Sequence, residues 1–343
     1  MKDNYLITGG AGFIGVNLAD HYLANNKQVT IFDNFSREGT EKNIEWLRQK
    51  HGDKVIIIKG DVRNADSNLN ELVEKADVVF HQAAQVAVTT SVTNPREDFE
   101  VNALGTFNVL ETIRKSSSSP ILVYSSTNKV YGKMADLNVI ESKGRYIYDE
   151  LPHGVPESRP LDFYSPYGCS KGAGDQYVLD YSRIYGLKTI AFRQSCIYGP
   201  HQFGVEDQGW VAWFSIRAMQ KLPVTIYGDG KQIRDVLYID ELIAAYNAAI
   251  ENISKTSGQA YNMGGGPENT LSLLELINML EEHFGYRMEY SFDEWRPGDQ
   301  LVYVSNITKV KDDFGWGPKV NPVDGVARLL EWLDQNKNLF AKS

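Results

Sequence analysis

A chain of 343 residues, 42% hydrophobic and 23% charged, can bury one large core or a large and a small domain, which excludes a disordered or fibrous protein. Its 44 acidic and 35 basic residues give a net charge of −9 with no Lys/Arg run, so nucleic acid is excluded as a partner and an anionic small ligand would need individually placed arginines. No segment nears the roughly 20 apolar residues of a membrane span, the chain opens without a cationic leader, Cys169 and Cys196 are the only cysteines, and the six histidines lack metal-ligand spacing, so the expectation is a cytoplasmic protein without membrane contact, disulfides or metal.

Through the first half, short apolar runs alternate with helical patterns. NYLIT is followed by a helix from Phe13 to Asn25, then come QVTIF, VIIIK, DVVFHQA and PILVYSS. YGCSKGAGDQYVLDYSRIYG, starting at Tyr167, reads as a long helix stopped by Gly186, and TIAFR as one more strand. From about Gly199, Gly, Pro and aromatic residues mix with short strands and two helices, Glu241 to Glu251 and Leu271 to His283. The expected fold is α/β, a Rossmann doubly wound parallel sheet with a smaller mixed α/β C-terminal region. Residues 1–198 form the dinucleotide-binding part and 199–343 the substrate part, with some crossing of the chain between them. Without repeats or linkers, the two parts are expected to share a cleft.

TGGAGFIG sets Gly9, Gly12 and Gly15 between the first strand and the first helix. Such glycines let the backbone turn sharply, approach a diphosphate and pack helix on strand, while the helix N-terminus offers free N–H groups. Asp33 follows Gly15 by 18 residues at the end of the next strand, where a carboxylate bonds ribose hydroxyls and repels a 2′-phosphate. NAD is therefore expected rather than NADP. Asp61 and Val62, after the third strand, are placed to flank the adenine, and the small Ala83 and Ala84, after the fourth, to admit the cofactor backbone. Farther on, Tyr167 and Lys171 stand four apart on one helix face. An ammonium beside a phenol favours the phenolate, so the pair can act as a general base near neutral pH, with the lysine also free to hold the nicotinamide ribose. Tyr227 and Lys231 repeat the spacing in the glycine-rich turn YGDGK, where side chains need not converge.

These motifs, together with STNKVYG, make the chain resemble, over nearly its whole length, the extended short-chain dehydrogenase/reductase family of nucleotide-sugar epimerases and dehydratases. That family ends its fifth strand in a Ser/Thr four residues before the Tyr of VYG, here Thr127 before Tyr131. The resemblance implies a Thr127, Tyr167, Lys171 triad, with Thr127 hydrogen-bonding the reacting sugar hydroxyl. It adds Phe13, Ile14, Asn34, Asn102, Ser125 and Ile197 to the NAD contacts. Dehydratases of the family carry an Asp-Glu pair directly after that Ser/Thr, because eliminating water needs a further acid and base. Asn128 and Lys129 stand here instead, which leaves oxidation and re-reduction of one sugar carbon by a retained NAD.

Arg234 in GDGKQIRDVLYIDE and Arg296 in FDEWRPGDQ match places that grip the sugar nucleotide's diphosphate, with Gln232 beside Arg234 and Tyr227 near the base. The runs QVAVTTSVTNPREDFEVNALGTFNVLE and IYGPHQFGVEDQGWVAWF resemble the branch of the family that inverts C2 of CDP-sugars. They imply a CDP-sugar substrate, with Gln85, Gln202, Glu206, Gln208, Trp210 and Trp213 in the segments that shape the sugar pocket, although two tryptophans three apart in a helix fit a core equally well. Cys196 stands where the family usually has Asn, so a substrate contact from that position is an open expectation. A UDP-hexose 4-epimerase, a CDP-glucose 2-epimerase and a non-catalytic NAD-binding regulator stay open as alternatives. The family's dimer contact implies a homodimer or homotetramer through the helices near Thr106 to Lys115 and Tyr167 to Tyr185. The polar stretch 133–163 is either a lid or a surface loop.

Overall fold

The computed structural model describes residues 2–64, 67–296 and 298–340. Seven parallel strands form its central sheet: β1 (Asn4–Thr8), β2 (Gln28–Asp33), β3 (Val55–Lys59), β4 (Val78–His81), β5 (Ile121–Thr127), β6 (Thr189–Gln194) and β7 (Gln259–Met263). They lie in the order β3-β2-β1-β4-β5-β6-β7. Successive side chains serve opposite faces. Ile7, Phe80 and Val123 enter one apolar core, whereas Leu6, Val79 and Leu122 enter the other. Burial on both faces is why these strands read as unbroken apolar runs. The strand order reverses between β1 and β4, and a crevice opens beyond the carboxyl ends at such a point.

β7 was not among the expected strands. Gln259 and Asn262 interrupt its apolar pattern, and Asn262 is buried with its backbone N–H on Glu157 at 2.8 Å and its amide on the Val155 carbonyl at 2.8 Å. Partners distant in sequence thus make a polar residue acceptable inside the sheet, and the chain returns from the C-terminal part to complete the first.

The strand Ile233–Tyr238 organises the rest. It pairs in parallel with Cys196–Tyr198 and Val302–Tyr303 and antiparallel with Thr270–Ser272. Val224–Tyr227 pairs separately with Tyr290–Asp293. The expected helices appear as Ile239–Glu251 and Leu273–Phe284, the second opened by a reciprocal cap between Ser272 and Glu275. The helix Pro322–Gln335 was not anticipated. The 133–163 stretch contains a hairpin, Val139–Ser142 with Arg145–Tyr148. It is clamped to the C-terminal part: the Tyr148 hydroxyl donates to the Val302 carbonyl at 2.7 Å and Arg145 donates to the Thr270 hydroxyl at 2.6 Å. Among the described residues no helix is long and apolar enough to cross a membrane, and no cluster of three or more His, Cys, Asp or Glu could hold a metal.

Candidate active site

Gly9 turns the chain out of β1 with φ +68°, and a Cβ there would lie 2.5 Å from the Ala83 nitrogen, so only glycine lets the first turn meet the loop after β4. Gly15, in the helix Phe13–Ala24, packs so closely that a Cβ would lie 2.5 Å from the Gly9 carbonyl oxygen. Gly12 caps this helix, and no side chain bonds its first N–H groups, which leaves them facing outward. Asp33, at the end of β2, accepts from the Ala11 N–H at 2.9 Å and the Phe35 N–H at 2.8 Å. Burial pushes its pKa up, and these backbone donors together with Arg37 oppose the rise.

Beyond the strand ends lies a cleft of about 510 Å³. Of the expected cofactor contacts, Gly9, Gly12, Phe13, Ile14, Gly15, Asp33, Asn34, Asp61, Val62, Ala83, Ala84, Ser125, Tyr167 and Lys171 line it. Asn102 and Ile197 do not. Asn102 is buried behind the wall and brackets Gln85, accepting from its N–H and donating to its carbonyl, both at 2.9 Å. Ile197 is a core residue of a short strand. Both are corrections of direct contact to support of the wall.

Thr127 closes β5, and Tyr167 and Lys171 come from the first turns of the helix Pro166–Tyr185, which Ser165 caps. Tyr167 and Lys171 share the cleft, as their spacing required. The electrostatics differ from expectation. Burial pushes Tyr167 up to about 12, opposed by its hydrogen bond with Thr127 and by Arg37. Burial likewise pushes Lys171 down to about 7, with Asp175 and Asp98 favouring its charge. The Lys171 ammonium sits 4.3 Å from the centre of the Tyr124 ring, so Tyr124 receives its charge here. His81, bonded at 2.7 Å to Thr8 and 3.1 Å to Thr106, lies beneath and is held neutral, with its pKa near 3 through burial and Lys171.

A second group of expected residues meets to one side. Arg296 stacks 3.8 Å from the centre of the Tyr227 ring, pairs with Asp207 at 3.0 Å and donates to the Glu206 carbonyl at 3.2 Å. The Tyr227 hydroxyl donates to Glu206 at 3.2 Å, and Gln232 donates to the Tyr227 carbonyl at 2.7 Å. Arg234 faces Asp299 at 3.7 Å. The Cys196 sulfur accepts from the Trp210 indole at 3.3 Å, while Trp213 packs on the core. Gln85, Gln202 and Gln208, expected around the sugar, line the first cleft, which also holds Tyr167 and Lys171. Gln85 is committed to Asp98 at 3.0 Å, and Gln208 accepts from Arg37 at 3.0 Å, because the loop 203–209 folds back toward the residues that follow β2.

The profile of the NAD dependent epimerase/dehydratase family matches residues 5–264. The chain belongs to that family. It is 45% identical over 334 residues to CDP-paratose 2-epimerase of Salmonella typhi, covering 95% of this chain and 98% of the relative. The structure of UDP-glucose 4-epimerase from Thermotoga maritima with UDP-glucose superposes with a TM-score of 0.83 at 29% identity, covering 97% of this chain and 99% of that one. UDP-glucuronic acid 4-epimerase from Bacillus cereus, solved with UDP-glucuronic acid and NAD, gives 0.81 at 27% identity, covering 97% and 99%.

The family's cofactor fits the cleft. Four buried polar atoms on its wall have no hydrogen-bond partner among the described residues: Gln82 Nε2, Asn43 Oδ1, Gln202 Oε1 and His201 Nδ1. Unpaired buried donors and acceptors are costly unless a ligand supplies their partners, and a dinucleotide with two riboses and an amide does so. Asn43, Gln82, His201 and Arg37 were not singled out in the sequence. Gln82 follows β4 directly, near the end of the fourth apolar run, a position that could have marked it. Lys129 was seen only as a missing carboxylate. Its ammonium donates to the Gly298 carbonyl at 3.5 Å, and burial first, then Arg234, lowers its pKa to about 8.

Proposed function

We propose that this protein is an NAD-dependent CDP-sugar 2-epimerase that interconverts CDP-paratose and CDP-tyvelose. The observation that carries the reading is the composition of the site: Tyr167 and Lys171 line the cleft, Thr127 lies against Tyr167, and Asn128 and Lys129 follow Thr127 where elimination would need carboxylates. The long similarity to CDP-paratose 2-epimerase supports the choice of sugar nucleotide.

A sugar carbon without an adjacent carbonyl has no acidic proton, so its inversion requires oxidation first. Bound in the cleft, NAD supplies the hydride acceptor and, in the return step, the donor. Tyr167 takes the sugar hydroxyl proton as the carbonyl forms and gives it back afterwards, so no net proton or hydride is consumed. Thr127, hydrogen-bonded to Tyr167, shares that hydroxyl. Lys171, whose charge Asp175 and Asp98 favour against the larger effect of burial, offsets in its cationic form the negative charge that develops on Tyr167. Arg234 and Arg296 hold the diphosphate by exchanging Asp299 and Asp207 for phosphate oxygens, one ion pair for another. The keto-sugar swings about its diphosphate anchor and presents its other face.

The protein works as a homodimer. Phe107 on the helix Gly105–Lys115 and Tyr177, Ile184 and Tyr185 on the neighbouring helix Pro166–Tyr185 make an exposed apolar strip that supports this assembly. The function is tested by incubating the purified protein with CDP-paratose, CDP-glucose and UDP-glucose and assigning the inverted carbon by NMR. CDP-paratose inverted at C2 is the expected outcome, with Tyr167→Phe slower by about 10²- to 10⁴-fold. Exclusive C4 inversion of UDP-glucose would replace this reading with a 4-epimerase.

A further inference from the structure

The described lining of the cofactor cleft carries two arginines and one lysine: Arg37, Arg63 and Lys171. Arg63 is committed to Asp61 through bonds of 2.7 and 3.0 Å. Lys171 belongs to the reacting end. Arg37 meets no carboxylate at ion-pair distance among the described residues; its Nη2 donates to the neutral Gln208 Oε1 at 3.0 Å. It lines the cleft four residues beyond Asp33, and both Tyr167 and Asp33 favour its charge. The stretch of a dinucleotide that lies between a ribose-binding carboxylate and the nicotinamide end is its diphosphate. A guanidinium that lines the cleft without an acidic partner at ion-pair distance is suited to that group, because binding neutralises both.

The bond to Gln208 also spans the cleft. Arg37 sits in the turn before the helix Thr40–His51, fixed by the Thr40 hydroxyl on its carbonyl at 2.7 Å, whereas Gln208 comes from the C-terminal part. The two loops touch again where Phe203 packs against Gly39. We propose that Arg37 is the counter-ion of the dinucleotide's diphosphate and, clasped by Gln208, the latch that keeps the cofactor resident through turnover. The proposal rests on the reading of this cleft as the NAD site.

The test measures NAD affinity and release directly, independent of epimerisation. Wild type, Arg37→Gln, Arg37→Lys and Gln208→Ala are stripped of nucleotide, titrated with NAD at two salt concentrations, then loaded and chased with labelled NAD. Arg37→Gln should weaken binding about 10- to 100-fold and flatten its salt dependence, because one charge-assisted contact is gone. Arg37→Lys should recover part of both. Gln208→Ala should release NAD faster while keeping the wild-type salt dependence, and it preserves a test of the latch if Arg37→Gln fails to fold. Wild-type release and salt dependence in folded Arg37→Gln would overturn the counter-ion, and wild-type release in Gln208→Ala would overturn the latch. Failure of the wild-type chain to take up NAD would instead overturn the reading of the cleft itself.

Discussion

At the residue scale, position and protonation behave differently. Tyr167 and Lys171 were findable because a helix brings residues four apart to one face, and Thr127 because a family motif marks it. The direction of the Tyr167 shift was not findable, since burial depends on what the rest of the chain stacks over it. The same burial makes a stability prediction through His81 and His201, whose pKa values fall to about 3 and about 4 against 6.5 for a free histidine. Below pH 6.5 the unfolded chain takes up protons that the folded one refuses, so each site removes up to about 1.4 kcal/mol of stability per pH unit down to its folded pKa. Urea midpoints followed from pH 7 to pH 4 should fall accordingly. His81→Asn should be less stable at pH 7, with Thr8 and Thr106 losing partners, yet show a shallower acid slope; an unchanged slope would remove His81 from the explanation. Gln202 and Gln208 were assigned to the sugar because of their segment; their place in the cleft follows from the segment 202–208, which packs through Phe203 against Gly39, a contact no local pattern announces.

At the scale of elements, the six apolar runs became six strands because a parallel sheet covered on both faces leaves little room for polar residues. β7 and the hairpin 139–148 escaped notice for the opposite reason: their polar residues are satisfied by partners far away in sequence. Glycine separates two kinds of constraint here. Gly186, the C-cap at φ +70°, has open space around it, so Gly186→Ala should cost only the left-handed strain, about 1 kcal/mol, with cofactor binding intact. Gly15→Ala has ordinary helical φ but a Cβ 2.5 Å from backbone, so it should displace the glycine loop and abolish NAD binding. Thermal melts and NAD titrations of the two variants distinguish these outcomes, and intact NAD binding in Gly15→Ala would refute the packing argument.

At the scale of the whole molecule, the seven-stranded sheet takes strands from both parts of the chain, so the cofactor wall and the C-terminal part share a framework. The change of texture near residue 199 was readable; the return of β7 from beyond it was not. The apolar strip on the two adjacent helices should be covered in solution, and Ile184→Asp should convert a dimer to a monomer in sedimentation velocity. A monomeric wild type would contradict that assembly. The central claim is that one carbon is oxidised and re-reduced by the same retained cofactor. CDP-paratose carrying deuterium at C2, turned over in ordinary water and read by NMR, should yield CDP-tyvelose with the deuterium still at C2 and no NAD consumed. Exchange of that deuterium for solvent hydrogen would contradict the account.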